Sequence, residues 1–349
     1  MENTQMWKEI HDQPQVAKRL LEEYLPKAKR YHQKLTEKRQ LVLTGMGASL
    51  YACQMAKYAF YLHSGLKPLV TPAEDLPYLL PSFDRETLVI FVSQSGESIE
   101  TKLYGEKVKE TGAELWGITN EPDSSLGRNA SEVLPLYCEQ EVSSATKTNL
   151  ATVLLLTILA FGWKEEYQQK FYEIPEKLEK TLKQADTGLD LLVNTLLTKE
   201  NFYILGAGLL GAAAIEGALM MQEKTFLHTM GSSIGDFRHG TVEVTEKGLP
   251  VLFLASGEKQ ARETQTHIRF LENIGADVYL ITDCGKYCHP CTEHRILIED
   301  AGEECFAPLY FLVPLQLLAE QTARRKGLEV DGFRYLSKVV KDYDGRKEA

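Results

Sequence analysis

The second half of the chain repeats the first, and no other feature narrows the possible folds as much. Asn201–Leu205 followed by GAGLLGAAAIEGALMMQE mirrors Gln40–Thr44 followed by GMGASLYACQMAKYAF. Leu249–Ala255 and the pattern after it mirror TLVIFV, which ends at Val92, and the pattern after that. Each half closes on an apolar helix, Leu150–Phe161 and Leu309–Gln321. A period of about 155–160 residues means two copies of one domain. Within the first copy, short apolar runs at Gln40–Thr44, Lys67–Pro72, Leu88–Val92, Glu114–Thr119 and Glu132–Leu136 alternate with helical patterns. Such runs belong to strands covered on both faces. The expected fold is therefore α/β, with two tandem domains, each a parallel sheet flanked by helices in a three-layer αβα, Rossmann-like sandwich. The expected division is 1–36 as N-terminal helices broken near Pro14, 37–163 as the first domain and 164–198 as a linker helix. The second domain then takes 199–330 and a C-terminal tail 331–349.

The length of 349 residues, with 44% hydrophobic and 25% charged residues, suits two globular domains of ordinary size. A formal net charge of −10 argues against nucleic acid or an anionic membrane as the main partner. An anionic ligand must then be held by local donors. The opening MENTQMWKEIHDQP lacks the apolar core of a signal peptide. The longest apolar run, Leu150–Trp163, is too short to cross a bilayer. A cytoplasmic location is expected.

Leu88–Val92 runs into Ser93-Gln94-Ser95-Gly96-Glu97-Ser98, and a helical pattern starts at Ile99. A buried strand ending in a hydroxyl-rich turn before a helix N-terminus makes a phosphate cradle, because backbone N–H groups and the positive end of the helix dipole point into it. The equivalent turn in the second half is Ser256-Gly257-Glu258-Lys259, so phosphate binding is expected in the first half only.

Four other stretches carry chemistry. Gly206-Ala207-Gly208-Leu209-Leu210-Gly211 matches the dinucleotide fingerprint, but no strand ending in an acid follows at the right distance, so the glycines are read as packing residues and no cofactor is expected. Glu216, Met220 and Glu223 fall on one helix face, where partial burial suits a carboxylate to general-base work. Ser232–Gly240 reads as a polar loop holding Asp236, Arg238 and His239, and histidine shuttles protons near neutral pH. Cys284, Cys288, Cys291 and His294 are spaced like zinc ligands, but no second knuckle accompanies them; they are read as a cysteine-rich loop and no metal is expected.

Six elements in order resemble the sugar isomerase (SIS) family. Within it the similarity is to the isomerase half of glucosamine-6-phosphate synthase and to stand-alone deglycases and deaminases. They are MWKEIHDQP, SQSGES, SSATK, EGALMMQE, GDFRHG and KGLEVDGFRYLSKVV. The resemblance implies that Ser93, Gln94, Ser95 and Ser98 hold the 6-phosphate of a hexose, with Gly47 and Ser49 nearby and Ser143, Ser144 and Arg238 also at the substrate. It implies that Glu223 moves a proton between C1 and C2 of the open-chain sugar, and that His239, contributed by a neighbouring subunit in relatives, assists ring opening. Lys338 matches a tail lysine able to form an imine with the ketose. A homodimer is implied. Three departures from the family pattern stand out. Glu2 stands where the synthase has its cysteine nucleophile, so glutamine is not expected to supply ammonia. Met220 and Gln222 replace lysines. Phe237-Arg238-His239 is nearer to the deglycases, whereas Lys338 is nearer to the synthase and the deaminases.

The expected function is that of a phosphosugar isomerase-type enzyme. It would act on an amino-linked hexose 6-phosphate, as a fructosamine-6-phosphate deglycase or a glucosamine-6-phosphate deaminase, and release the amine. The alternative is a non-catalytic sugar-phosphate sensor. Such regulators usually carry a helix-turn-helix domain, and no basic recognition helix is present in the sequence.

Overall fold

A computed structural model describes residues 4–285, 294–335 and 337–340. Two parallel five-stranded sheets form, and both have the same order. The first contains β1 (Gln40–Gly45), β2 (Leu69–Pro72), β3 (Thr87–Val92), β4 (Glu114–Thr119) and β5 (Glu132–Pro135), in the order β2-β1-β3-β4-β5. The second contains β6 (Asn201–Gly206), β7 (His228–Ser233), β8 (Pro250–Ala255), β9 (Asp277–Thr282) and β10 (Arg295–Leu297), in the order β7-β6-β8-β9-β10. The repeat seen in the sequence is thus a repeat of topology. All six residues of β3 and all six of β8 are buried, as strands in the middle of a doubly covered sheet must be.

By compactness the chain divides into two units. One holds residues 15–172 and 333–349, around the first sheet; the other holds 1–14 and 173–332, around the second. We call them the first-repeat and second-repeat units. The first has a core in which Val42, Leu76, Val89, Phe91, Val108 and Leu115 meet. Its Lys147–Phe161 helix is buried on every side, which explains the unbroken apolar run there. In the second, Leu205, Val251, Phe253 and Val278 pack with Ile268 and Leu271.

The N-terminal break falls where Pro14 predicts it: one helix covers Gln5–His11 and another starts at Gln13 with Pro14 in its first turn, where a missing N–H costs nothing. The first helix belongs to the second-repeat unit, where Asp331 accepts hydrogen bonds from the N–H groups of Gln5 (2.9 Å) and Met6 (2.8 Å). In place of one linker helix over 164–198 there are three, Glu165–Tyr172, Ile174–Gly188 and Asp190–Leu196. Pro175 opens the second and Gly188 closes it. The polar Ser232–Gly240 stretch is not wholly a loop. Its first two residues end β7, and Ile234–Arg238 is a short helix capped by Ser233, whose Oγ accepts from the Asp236 N–H at 2.9 Å. Its polarity hides a strand because β7 presses on the Leu210–Thr225 helix: a Cβ on Gly231 would lie 2.3 Å from the Ala214 carbonyl oxygen.

Candidate functional site

In the first-repeat unit the chain leaves β1 toward one edge of the sheet and β3 toward the other. A crevice opens at the carboxyl ends of these two strands, where open α/β sheets hold ligands. The turn Met46-Gly47-Ala48-Ser49 and the turn Ser93–Ser98 both emerge there, and the pairing of Thr44 with Phe91 sets them side by side. Gly47 (φ 51°) caps the Ala48–Ala59 helix, which carries Ser49. Asn149 Nδ2 donates to the Ala48 carbonyl at 2.9 Å and ties this turn to the Lys147–Phe161 helix.

The serine turn is built to aim donors outward. Ser93 is buried, and its Oγ accepts from the Gly96 N–H at 3.1 Å. Gly96 has φ 61°, and a Cβ there would sit 1.9 Å from Ser124 Oγ, so only glycine closes the turn. Thr119 Oγ1 and the Asn120 N–H both donate to the Gln94 carbonyl (3.1 and 2.9 Å), which points that carbonyl back into the fold. Ser95 Oγ accepts from the Glu97 N–H (3.2 Å), and Ser98 Oγ caps the Ile99–Glu110 helix through the Thr101 N–H (3.4 Å). The N–H groups of Gln94, Ser95 and Ser98 have no hydrogen-bond partner among the described residues. Glu97 does not enter the cradle: it accepts from the Ser125 N–H at 2.6 Å and pairs with Lys102 at 3.1 Å. The Ser125 N–H, ahead of Lys102, holds its carboxyl below the usual range. The result is a concave set of neutral donors at a helix N-terminus, suited to a phosphate.

Ser143 and Ser144 lie buried in the loop before the Lys147–Phe161 helix. That loop turns on Glu141, a residue the sequence reading passed over. Its buried carboxylate accepts from Thr146 N (3.0 Å), Thr146 Oγ1 (3.2 Å), Thr148 N (3.1 Å) and Thr148 Oγ1 (2.6 Å). Lys338 also reaches it, at 3.1 Å. The tail therefore lies on the first-repeat unit, and the Val340 carbonyl accepts from the Ile99 N–H at 3.1 Å, next to the cradle. Gly47, Ser49, Ser93, Gln94, Ser95, Ser98, Ser143, Ser144 and Lys338 all belong to this unit.

Glu223, Arg238 and His239 belong to the second-repeat unit. Glu223 sits half-buried in the last turn of the Leu210–Thr225 helix, and Glu216 and Met220 on the same helix are buried. Gln222, where the family has a lysine, is exposed and donates to the Thr229 carbonyl at 2.6 Å. Arg238 and His239 are exposed at the end of the short helix after β7. The two elements cover different faces of the sheet. Gly217 of the longer helix meets Leu315 of the Ala307–Arg325 helix, whereas Phe237 packs with Val251, Ile268 and Leu271 against the Gly257–Ile274 helix. Within one unit, then, the sheet separates Glu223 from His239.

The second repeat has its own crevice at the same topological point, a cavity of about 720 Å³. Its cradle is already filled. Asp283 accepts from Ser256 Oγ at 2.6 Å and from the Gly257 N–H at 2.7 Å, so a carboxylate of the chain itself occupies the anion position. Glu258, Glu263, Asp300, Glu303 and Glu304 line the cavity against one lysine, Lys259. In the first repeat the matching residue is Asn120, whose side chain instead meets Glu139 and Cys138. Both copies keep a serine after the third strand, but only the first leaves its cradle open.

Gly206 is a packing residue, since a Cβ there would lie 2.1 Å from the Leu210 carbonyl oxygen. Of the cysteine-rich stretch, Cys288 and Cys291 lie outside the described residues. His294 stacks on Tyr279 with ring centroids 4.6 Å apart, and the Cys284 N–H donates to Thr282 Oγ1.

The SIS domain model matches residues 34–161 and again 195–321, one match on each sheet. The chain belongs to the SIS domain family. A glutamine–fructose-6-phosphate aminotransferase (isomerizing) of Pyrococcus horikoshii is 30% identical over 351 residues, which cover 96% of this chain and 57% of that protein. The chain thus spans under three-fifths of the length of that relative. Among solved structures, the C-terminal domain of glucosamine-fructose-6-phosphate aminotransferase from Francisella tularensis matches with a TM-score of 0.85 and 24% identity, over 94% of this chain and 98% of that one. Glucosamine-6-phosphate deaminase from Thermotoga maritima matches with a TM-score of 0.78 and 21% identity, over 97% of this chain and 99% of that one. At these identities the structures establish a shared fold.

Proposed function

We propose that the chain is a phosphosugar isomerase-type enzyme that acts on an amino-linked hexose 6-phosphate and releases the amine. The observation that carries this reading is the asymmetry of the two cradles: the serine turn of the first repeat presents neutral donors, while Asp283 fills its counterpart. The open cradle anchors the 6-phosphate through Ser93, Gln94, Ser95 and Ser98, with Gly47, Ser49, Ser143 and Ser144 around the sugar. The other end of the open chain is then free to react.

Glu223 takes a proton from one of the two carbons C1 and C2 and returns it to the other. For glucosamine 6-phosphate this turns the C1 aldehyde and C2 amine into a C2 imine with a C1 hydroxyl. Water adds to the imine, ammonia leaves, and fructose 6-phosphate remains. For a fructosamine 6-phosphate the same transfer moves the C2 ketone into a C1 imine. Water then releases the amine and leaves glucose 6-phosphate. His239 assists ring opening, with Arg238 beside it. Because the sheet separates Glu223 from His239 within one unit, we assign His239 to the site of a second copy, in a homodimer. Lys338 attends the carbonyl carbon. The chemistry asks for no metal or organic cofactor.

The test is a screen of the purified protein against glucosamine 6-phosphate and several fructosamine 6-phosphates, scoring the amine released and following the sugar by phosphorus NMR. Glu223→Gln is expected to bind substrate and lose turnover. Turnover at the wild-type rate in that variant would refute the mechanism, and a wild-type protein that binds hexose phosphates without converting any would make the chain a sensor.

A further inference from the structure

We infer that Glu141 is the positioning residue for the tail lysine, and that one buried carboxylate joins the Ser143–Ser144 loop and the C-terminal tail into a single working part. The inference rests on the reading above, in which Lys338 serves the sugar. The geometry behind it stands without that reading.

A carboxylate buried away from water has to be repaid by donors, and Glu141 has collected them from two directions. Two N–H groups and two hydroxyls, from Thr146 and Thr148, come from the start of the Lys147–Phe161 helix. These place the negative charge at that helix's N-terminus, where the dipole favours it. The fifth donor is the Lys338 ammonium, far away in the sequence, which also donates to the Glu141 main-chain carbonyl. The local donors fix the carboxylate before the tail arrives, so Glu141 is a prepared socket and Lys338 is what fills it.

The second contact decides where the tail lies. The Val340 carbonyl takes the N–H of Ile99, the first residue of the helix that Ser98 caps. A lysine on Glu141 and a carbonyl on the cradle helix stretch residues 338–340 between the serine loop and the phosphate cradle. Long lysine side chains lose much rotamer freedom when held, and a single exposed ion pair contributes too little to hold one. A buried carboxylate with four other donors can do so, because a charge-assisted bond in a dry site is stronger and its geometry is set.

Glu141 does not touch the sugar in this arrangement. It acts by holding Lys338, and this separates it from a merely structural glutamate. If it only stabilised the loop, its replacement would lower stability and leave the tail alone. As a positioning residue, it should share one effect with Lys338.

The experiment compares wild type, Glu141→Gln, Lys338→Met and the double variant, first by tail exchange, read as amide hydrogen exchange of the Ile99 N–H that the Val340 carbonyl covers, and then by kinetics with glucosamine 6-phosphate. Each single variant is expected to speed tail exchange by roughly tenfold or more, the effect of losing a charge-assisted bond, with no further gain in the double. Unchanged tail exchange in Glu141→Gln, or additive gains in the double, would overturn the inference whether or not the protein turns over any sugar. With substrate, Glu141→Gln is expected to lower kcat about 10²-fold with KM nearly unchanged, as Lys338→Met does. A loss confined to KM would also overturn it. If Glu141→Gln does not fold, Thr148→Val removes one hydroxyl bond to the same carboxylate and should loosen the tail in smaller measure; a tail as protected as in wild type would then count against the inference. Failure of turnover in the wild type, with coupled tail exchange intact, would refute the proposed function and leave the Glu141–Lys338 coupling standing.

Discussion

Ser256 donates its hydroxyl hydrogen to Asp283 at 2.6 Å, and the bond closes the anion cradle of the second repeat. The carboxylate also takes the N–H groups of Gly257 (2.7 Å) and Ala301 (3.4 Å), so its removal would leave three donors unanswered in a buried place. Asp283→Ala is therefore expected to cost about 3 kcal/mol of stability, measured by thermal or urea denaturation. Calorimetric titration of the wild type with glucosamine 6-phosphate should saturate at one sugar per chain. Two equal sites per chain would contradict the closed cradle.

Gly96→Ala should damage the open cradle. The backbone there has φ 61°, and the added methyl meets Ser124 Oγ. A cost of roughly 1–3 kcal/mol is expected from strain alone, with a clear loss of affinity for hexose phosphate. Unaltered binding in a titration would show that the turn has another shape.

The bond from the Ser125 N–H to Glu97 depresses that carboxyl, so Glu97 releases its proton more readily in the folded chain than in the unfolded one. Its contribution is present above the unfolded value of about 4.3 and is lost as pH falls through the lower folded value. Glu97→Gln should lower the melting temperature at neutral pH, and the gap to wild type should close in acid. A pH-independent gap would sink this assignment.

Glu320 is shifted the other way. Burial raises its carboxyl, against the pull of Arg324, and its Oε2 has no partner among the described residues. A raised folded value means the fold favours the protonated acid, so the contribution is greatest below the unfolded value and is lost as pH rises through the folded one. Glu320→Gln keeps an acceptor for Thr4 and Arg324 without the charge. It should melt higher than wild type at pH 8, with the advantage shrinking in acid. A variant less stable than wild type at pH 8 would contradict the assignment.

Much of this was legible in the residues. Apolar runs without alternation identified β1, β3, β4 and β8, and the repeat predicted a shared topology. The serine turn was readable because hydroxyls, a glycine and a following helix act locally. Three things were not. β7 looked like a loop because its sequence HTMGSS is chosen for close approach to a helix. Asp283 and Glu141 carry no signal of their own in the sequence, since their meaning depends on donors that only the fold delivers. The placement of Lys338 depends on Glu141, nearly two hundred positions earlier, and no periodicity reports such a distance.

Asp331 holds the start of the Gln5–His11 helix, and Thr4 donates to Glu320 on the Ala307–Arg325 helix. These contacts join segments more than three hundred positions apart in the sequence. Closing so long a loop costs chain entropy before any contact rewards it, so the seating of this helix over Met6 and Ile10 is expected to be a late step in folding, and the second-repeat unit is sealed only when two distant segments meet.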